Sequence, residues 1–548
     1  MRRAVVLLAW VVLGAAPALA RAQQPETAGD YVTRGNTRFD SGDYDGAIAD
    51  YTRAIELDPA DGTAYYDRGN ARKRKGDVAG AIADFTKAIE RDAGKSNYFN
   101  NRGIAREDQG DPDGAIADYG RAIELDPQNA KVYNNRGIAR RAKQDLAGAV
   151  ADYDKALELD PRYARAYDNR GDVRMDKGDV DGAIADYTQA IEITPDWDTP
   201  YFDRALAREA KGDPEGAIAD YTKVIELKPG DAGAYNNRGN RRREKGDLDG
   251  AIADYTRALE LKPRYAYAYN NRGLARKLKG DLDGAIADYT KAVEADPAYA
   301  RAYDNRGDVR LQKNDPTGAV ADYSRAIGAD SSYAIAWADR GFARATLGDA
   351  ASARADYTKA IALEPRSPYR YEGRAWVSLG ARDAAAGYAD AVKFLDLAGA
   401  RDDHSAYAVV IAALALRAQR KDSDAVAFLA AWAERVDTAV WPYAALRYLQ
   451  RAIGPAELMA LATNDDKMTE ARTYVGVDLM LSGRTAAALP HLQWVQAHGT
   501  RSYYEYPLAL AELRRAQRRA APAAGDPPPR RDAGAVQVRR TNPPKRSP

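Results

Sequence analysis

Cysteine is absent from the 548 residues. That excludes disulfides, thiolate chemistry and zinc sites built on cysteine. It also excludes a lipid anchor attached through a cysteine at a cleavage point. Three histidines, His404, His491 and His498, are too few and too scattered to build a metal site. No cofactor is expected. Phenylalanine is scarce, 7 residues against 35 tyrosines, so one aromatic is being reused in one structural role. No strong net charge is present either: the formal value is +1. That balance is uneven. Residues 1–22 carry Arg2, Arg3 and Arg21, and residues 521–548 carry six basic and two acidic side chains, which leaves about −6 on the body between them. An acidic body argues against a nucleic-acid partner, which requires a basic face.

The first residues read as an export signal. Arg2 and Arg3 precede an apolar run from Val5 to Ala16, Pro17 breaks it, and Ala18-Leu19-Ala20 or Ala20-Arg21-Ala22 offers a cleavage site. The run is shorter than the roughly 20 residues that span a bilayer, so cleavage is preferred over a membrane anchor. The mature chain is expected to start near Arg21 or Gln23, to contain no transmembrane segment, and to be periplasmic or secreted.

A period of 34 residues organises the body. Pro59, Pro127, Pro161, Pro195, Pro229, Pro263, Pro297 and Pro365 lie on one grid. A second runs from Ala47 and Ala81 to Ala353. A third is aromatic, from Tyr51 and Phe85 to Tyr357. With Ala28 as position one, ten repeats fill residues 28–367. Each predicts two helices. A glycine such as Gly246 ends the first, and an aspartate such as Asp247 caps the second. Pro112, Pro214 and Pro316 suit the first helical position. Position eight is small, as in Gly239. One such hairpin cannot bury its own apolar face, so neighbours must cover it.

These residues resemble the tetratricopeptide repeat (TPR): a small residue at position eight, alanine at 20, an aromatic at 24, alanine at 27 and proline at 32. The resemblance implies an all-α fold, a right-handed superhelical solenoid of antiparallel helix hairpins with the first helices lining a concave channel. It implies a scaffold or adaptor that takes extended peptides or helices. The chain departs from the family at position seven, where arginine runs from Arg34 to Arg340, and at position 11, where it runs from Arg38 to Arg344. Position 23 is aspartate throughout, from Asp50 to Asp356. Twenty arginines could form an anion-binding stripe. Burying them without partners would be costly, however, and every repeat supplies one aspartate. Arg136, Arg238 and Arg272 are therefore expected to pair with Asp152, Asp254 and Asp288 at about 2.7–2.9 Å, within a repeat or across to a neighbour. The position-11 arginines are expected to profit from the C-terminal helix dipole.

Residues 368–400 read as a degenerate eleventh repeat, with Ala375, Gly380, Tyr388 and Ala391. Residues 401–519 read as a divergent helical region, with helices near 406–417, 424–435, 443–453 and 468–481. A last TPR-type hairpin is expected at 470–498, followed by a capping helix at 502–515. Tyr474-Val475-Gly476, Gly483, Glu505 and Glu512-Leu513-Arg514 resemble the ends of bacterial cell-envelope TPR proteins. Residues 520–548, rich in proline and arginine, cannot bury a core and are expected to be a disordered tail. It serves either to solubilise the chain or to attach it to anionic lipid or polymer.

The strongest functional signal is a ladder at position six: Asp67, Asn101, Asn135, Asn169, Asp203, Asn237, Asn271, Asn305 and Asp339. In the family this position faces the channel. Carboxamides donate and accept hydrogen bonds, so they can hold a peptide backbone without reading its sequence. Duplicated repeats also copy residues that have no use, and position five is often asparagine as well (Asn100, Asn134, Asn236, Asn270). No catalytic constellation is present, and Asp402-Asp403-His404 reads as structural. The expected function is a non-catalytic scaffold in the cell envelope that binds extended segments of partner proteins. The alternative is an accessory component of an envelope secretion or polysaccharide-export assembly.

Overall fold

The computed structural model describes residues 27–520. The export signal expected at residues 1–22 and the basic tail from residue 521 lie outside the described residues. Among the described residues there are 29 helices and no strands. No helix is long and apolar enough to cross a membrane. The chain falls into two compact units, one to Arg241 and one from Arg242.

In both units the sequence repeat becomes a helix hairpin. In the first, Ala28–Asp40 is followed by Tyr44–Leu57. Gly42 turns the chain at φ +82°, a left-handed conformation in which glycine has no Cβ to clash. Gln144 and Asn314 take the same turn in repeats four and nine. The next residue is the cap: Asp43 accepts a 2.9 Å hydrogen bond from the Gly46 amide, and its counterparts do the same down the array. Each satisfies an amide that the first helical turn leaves free.

The two helices of a hairpin meet at the small residue of position eight. A Cβ added at Gly137 would lie 2.6 Å from the Tyr153 ring, so glycine is what lets the tyrosine lie flat on the first helix. Ala149, Tyr153 and Ala156 are fully buried there, and their counterparts are buried in every repeat. Small apolar clusters join one hairpin to the next, such as Ala54 and Ile55 with Ala64. This is the nearest-neighbour construction of a solenoid: many small cores and no large one.

The eleventh hairpin, Pro368–Gly380 with Ala384–Ala398, keeps the pattern. Beyond it the construction changes. Helix Ser405–Ala418 is buried along almost its whole length. It is the middle of one continuous apolar core that takes in Trp376, Phe394, Leu446, Tyr474, Leu492 and Leu513. The other helices lie within a few residues of their expected spans: Asp422–Ala433, Pro442–Leu449, Asp465–Leu481, Thr485–His498 and Glu505–Ala520. A short helix at Pro455–Leu461 was not anticipated. The last helix packs on Asp465–Leu481 and Thr485–His498, and back onto the first helices of the tenth and eleventh hairpins.

Candidate functional site

The arginines of positions seven and 11 are structural. Arg136 pairs with Asp152 through Nη2 at 2.6 Å and Nε at 2.9 Å. Arg272 does the same with Asp288 at 2.7 and 2.9 Å. The partner lies 16 residues on, within the same repeat, and the fork-on-carboxylate contact is the strong form of this bond. Sequence reasoning placed the position-11 arginines only in the helix dipole. They instead reach the same aspartate from the other side: Arg140 to Asp152 at 2.8 Å and Arg276 to Asp288 at 2.8 Å. Arg140 also donates to the carbonyl of position 19, Gly148, at 3.1 Å, and Arg276 to Gly284 at 3.4 Å. One aspartate thus serves two guanidiniums. The capping aspartate stands nearby as a second negative charge, Asp145 being 3.7 Å from Arg140.

Position seven also ties repeats together. Arg306 Nη1 donates at 2.9 Å to Thr290, at position 25 of the preceding repeat. Arg68, Arg102, Arg204, Arg238 and Arg272 do likewise with their threonines. An aromatic at position four lies under each guanidinium, from 4.7 Å for Trp337 to 5.9 Å for Tyr371. Thus these arginines make no anion stripe.

The position-six residues, Asp67, Asn101, Asn135, Asn169, Asp203, Asn237, Asn271, Asn305 and Asp339, all sit half-buried on first helices. Several of the asparagines link to the repeat before. Asn135 Nδ2 donates to Asn100 Oδ1 at 3.1 Å, Asn169 to Asn134 at 2.9 Å and Asn305 to Asn270 at 2.8 Å. Asn101 donates to Tyr66 and Asn70, both at 2.9 Å. The position-five asparagines are therefore half of the ladder: they accept from the next repeat. Each of the three asparagine–asparagine links uses one amide hydrogen, and a carboxamide has two, besides its carbonyl oxygen; Asn101 donates twice and accepts from Asn100 at 3.1 Å. Asn101 opens on a recess lined by Asn70, Lys73, Arg74 and Ile104.

The acidic members behave differently. Burial pushes Asp67 and Asp203 up to about 6 and raises Asp339, with Asp304 and Asp308 adding to the effect. Beside Asp203 stand Asp168 and Asp172, at positions five and nine of the repeat before. Beside Asp339 stand Asp304 and Asp308 in the same relation. Burial pushes Asp168 up to about 8 and Asp304 up to about 7, and the neighbouring carboxylates add to both shifts. Asp168, Asp172, Asp304 and Asp308 escaped sequence reasoning. The signal was present, because the stretch Ala164–Arg174 recurs letter for letter at Ala300–Arg310.

His404 is held by Glu372, Nδ1 to Oε2 at 2.9 Å, and Asp402 accepts from Tyr369 at 3.2 Å. The cluster serves to join two helices. Among the described residues no group of acids and histidines could hold a metal ion.

Models of the TPR repeat match residues 35–76, 171–212 and 239–280. Models of the tetratricopeptide repeat match 100–164 and 305–370, 266–299, and 62–95 and 199–231. The chain belongs to the tetratricopeptide-repeat family. No curated protein matches it. Among solved structures it is similar to YrrB, described as a TPR protein with an unusual peptide-binding site: 26% identity over 34% of this chain and 95% of that one, TM-score 0.31. It is similar to MamA, with 28% identity over 31% and 94% of the two chains and TM-score 0.30. Yeast Tom70 shares 20% identity over 73% of this chain and 97% of its own, TM-score 0.36. TPR arrays are in general non-catalytic modules of protein–protein interaction, and the repeats here support a scaffold of that kind.

Proposed function

We propose that this TPR array holds extended segments of partner proteins along its first helices, and that it does so in the cell envelope after export. The observation that supports the reading is the amide ladder. It runs in step with the repeat, it is partly exposed, and Asn135, Asn169 and Asn305 each keep one N–H and the carbonyl oxygen after linking to the repeat before. An extended backbone offers the matching acceptors and donors. The export reading rests on the three-part pattern at residues 1–22.

Replacing Asn135, Asn169 and Asn237 together by alanine tests the reading. Capture of partners from an envelope extract is expected to fall at least fivefold with the helical circular-dichroism signal intact. Undiminished capture would sink the ladder as a binding surface. N-terminal sequencing of the same envelope-derived protein is expected to start near Arg21 or Gln23, and an intact Met1 would contradict export.

A further inference from the structure

We propose that the acid clusters of repeats five–six and nine–ten are two sockets, each taking a guanidinium or ammonium group carried on an extended polypeptide segment. The proposal rests on the first-helix face being the binding face.

The two clusters are one device made twice. Asp304 stands four repeats after Asp168, Asp308 after Asp172 and Asp339 after Asp203. In the first, Asp172 accepts from Tyr187 at 2.9 Å and pairs with Arg141 at 2.5 Å. In the second, Asp308 accepts from Tyr323 at 3.0 Å and pairs with Lys277 at 3.1 Å. One cation is thus present in each socket, and it is engaged at position nine. Asp168 is 7% exposed and Asp304 5%. In both, Oδ1 is buried and makes no hydrogen bond. Besides the cation, Arg141 in one and Lys277 in the other, the copies differ at a second point: Asp304 Oδ2 accepts from Tyr333 at 3.1 Å, whereas the equivalent residue in the first copy is Trp197.

A structural role does not account for these acids. In three other places positions five and six are paired asparagines, Asn100 with Asn135, Asn134 with Asn169 and Asn270 with Asn305. Replacing such amides by like-charged, buried carboxylates costs stability. A buried acceptor with nothing to accept from, present in two copies, indicates a donor that arrives with a ligand. The donor has to be cationic to offset the surrounding acids. A bare metal ion does not fit, because no three acids stand close enough together to ligate one. Guanidinium and ammonium groups fit, since they bond carboxylates at hydrogen-bond distance. Beside Asp304, two acids of the second socket open on a recess: Lys277, Asp308, Tyr323, Asp339, Thr500 and Tyr504 line it, and Asp304 lies behind that lining.

Two sources carry this chemistry. One is a partner segment. The other is the chain's own sequence after residue 520, with Arg530-Arg531, Arg539-Arg540 and Lys545-Arg546 in proline-rich surroundings. The last helix, Glu505–Ala520, starts beside the second socket at Tyr504. It is about 24 Å long at 1.5 Å per residue. Ten extended residues span roughly 33 Å, so Arg530 can return to the socket.

The test uses full-length protein and a fluorescein-labelled peptide of residues 526–546, followed by anisotropy at low salt. The receiving chain carries glutamine at its six tail cations. Asp168→Asn with Asp203→Asn, or Asp304→Asn with Asp339→Asn, is expected to weaken binding at least fivefold. All four together are expected to abolish it, with the melting temperature unchanged or raised. Binding within twofold after all four substitutions overturns the proposal. So does equal binding of the peptide with its basic residues changed to glutamine. The natural-tail chain distinguishes the sources: weaker binding of the added peptide assigns the sockets to the tail in cis, and equal binding assigns them to another protein. Partner capture separates the two readings. Where the natural-tail chain has assigned the sockets to another protein, loss with the asparagine variant but not with the four-aspartate variant retains the scaffold and removes the sockets. The opposite pattern removes the ladder and retains the sockets.

Discussion

The repeat array and the C-terminal region use the same ionic clasp on different foundations. In the array each clasp belongs to one hairpin: Arg306 and Arg310 on Asp322 at 2.7 and 2.8 Å, over a core no larger than a tyrosine and a few alanines. In the C-terminal region Asp478 takes Arg417 at 2.6 Å, Arg451 at 2.7 Å and the Tyr448 hydroxyl at 3.0 Å. Arg417 comes from Ser405–Ala418, Tyr448 from Pro442–Leu449 and Arg451 from the turn after it, around one large core. An identical chemical unit therefore closes a local turn in one place and locks a tertiary junction in the other. Energetic consequences should follow the foundation and not the clasp.

The largest effect is expected at the junction. Burial alone would raise the Asp478 carboxyl, but the hydrogen bond from Arg451 and the charges of Arg417 and Arg451 outweigh it and hold it below its ordinary value. Asp478→Ala leaves Arg417, only 7% exposed, as a buried cation without its carboxylate. The cost is expected to be about 4 kcal/mol. Because the core is shared, protection from hydrogen exchange should fall across residues 405–516 together. Loss confined to one helix would show that the region is not one cooperative unit.

Asp322→Ala comes next. Arg306 and Asp322 are 6% and 2% exposed, so removing the acid alone is expected to cost about 3 kcal/mol. The damage should stay local to repeats eight to ten, as nearest-neighbour stability requires. Replacing Arg306 by leucine and Asp322 by alanine together should cost much less than Asp322→Ala. A double variant no more stable than the single one would mean that the clasp contributes by more than mutual neutralisation.

The acid sockets give the contrast its pH dependence. Asp168 titrates near 8 in the folded chain and near 3.9 when unfolded. Between those values the folded state holds a proton that the unfolded state has released, so stability falls as pH rises from about 4 to 8. The groups facing it are Asp203, Asp172 and Arg141, and Arg141 only partly offsets the acids. Asp168→Asn is expected to be neutral at pH 4 and to stabilise increasingly as pH rises to 8. Asp478 has the opposite sign: its stabilisation is present above the unfolded value and is lost as pH falls below about 4. Urea midpoints measured from pH 2 to 8 check both. A flat profile for the difference between wild type and Asp168→Asn would remove the account.

Legibility in the sequence follows the same division. The hairpins, their caps and the Arg136–Asp152 type of pair were readable because each depends on residues near in sequence and repeated ten times. The second guanidinium on each aspartate was not. Whether Arg140 reaches Asp152 depends on how the second helix crosses the first, and one aspartate per two arginines suggests only one pair. Position six was legible as a ladder. Its acceptors at position five were noted only as copies, because their bond spans 35 residues between adjacent repeats. In the C-terminal region the helices were visible, but the buried carboxylates Glu372, Glu470 and Glu512 were not. Their partners come from segments distant in sequence, as Arg382 does for Glu512 at 2.6 Å from the turn after Pro368–Gly380, and no period marks them.

The smallest expected effect is a gain, and it tests the part of the clasp that ties repeats together. At position 25 most repeats carry a threonine that accepts from the next repeat's position-seven arginine, as Thr86 does from Arg102 at 3.2 Å. The third repeat has Gly120 there, and Arg136 is more exposed than Arg102, 18% against 13%. A Cβ at Gly120 would meet nothing within 4 Å, so a side chain fits. Gly120→Thr removes a glycine from the helix Pro112–Leu125 and supplies the missing acceptor, together about 1 kcal/mol. Valine has threonine's shape without its hydroxyl, so Gly120→Val is expected to recover only the helix-propensity share. Chemical denaturation of the two variants separates the terms. If valine stabilises as much as threonine, the arginine–threonine bond contributes nothing between repeats, and the apolar clusters alone hold one hairpin to the next.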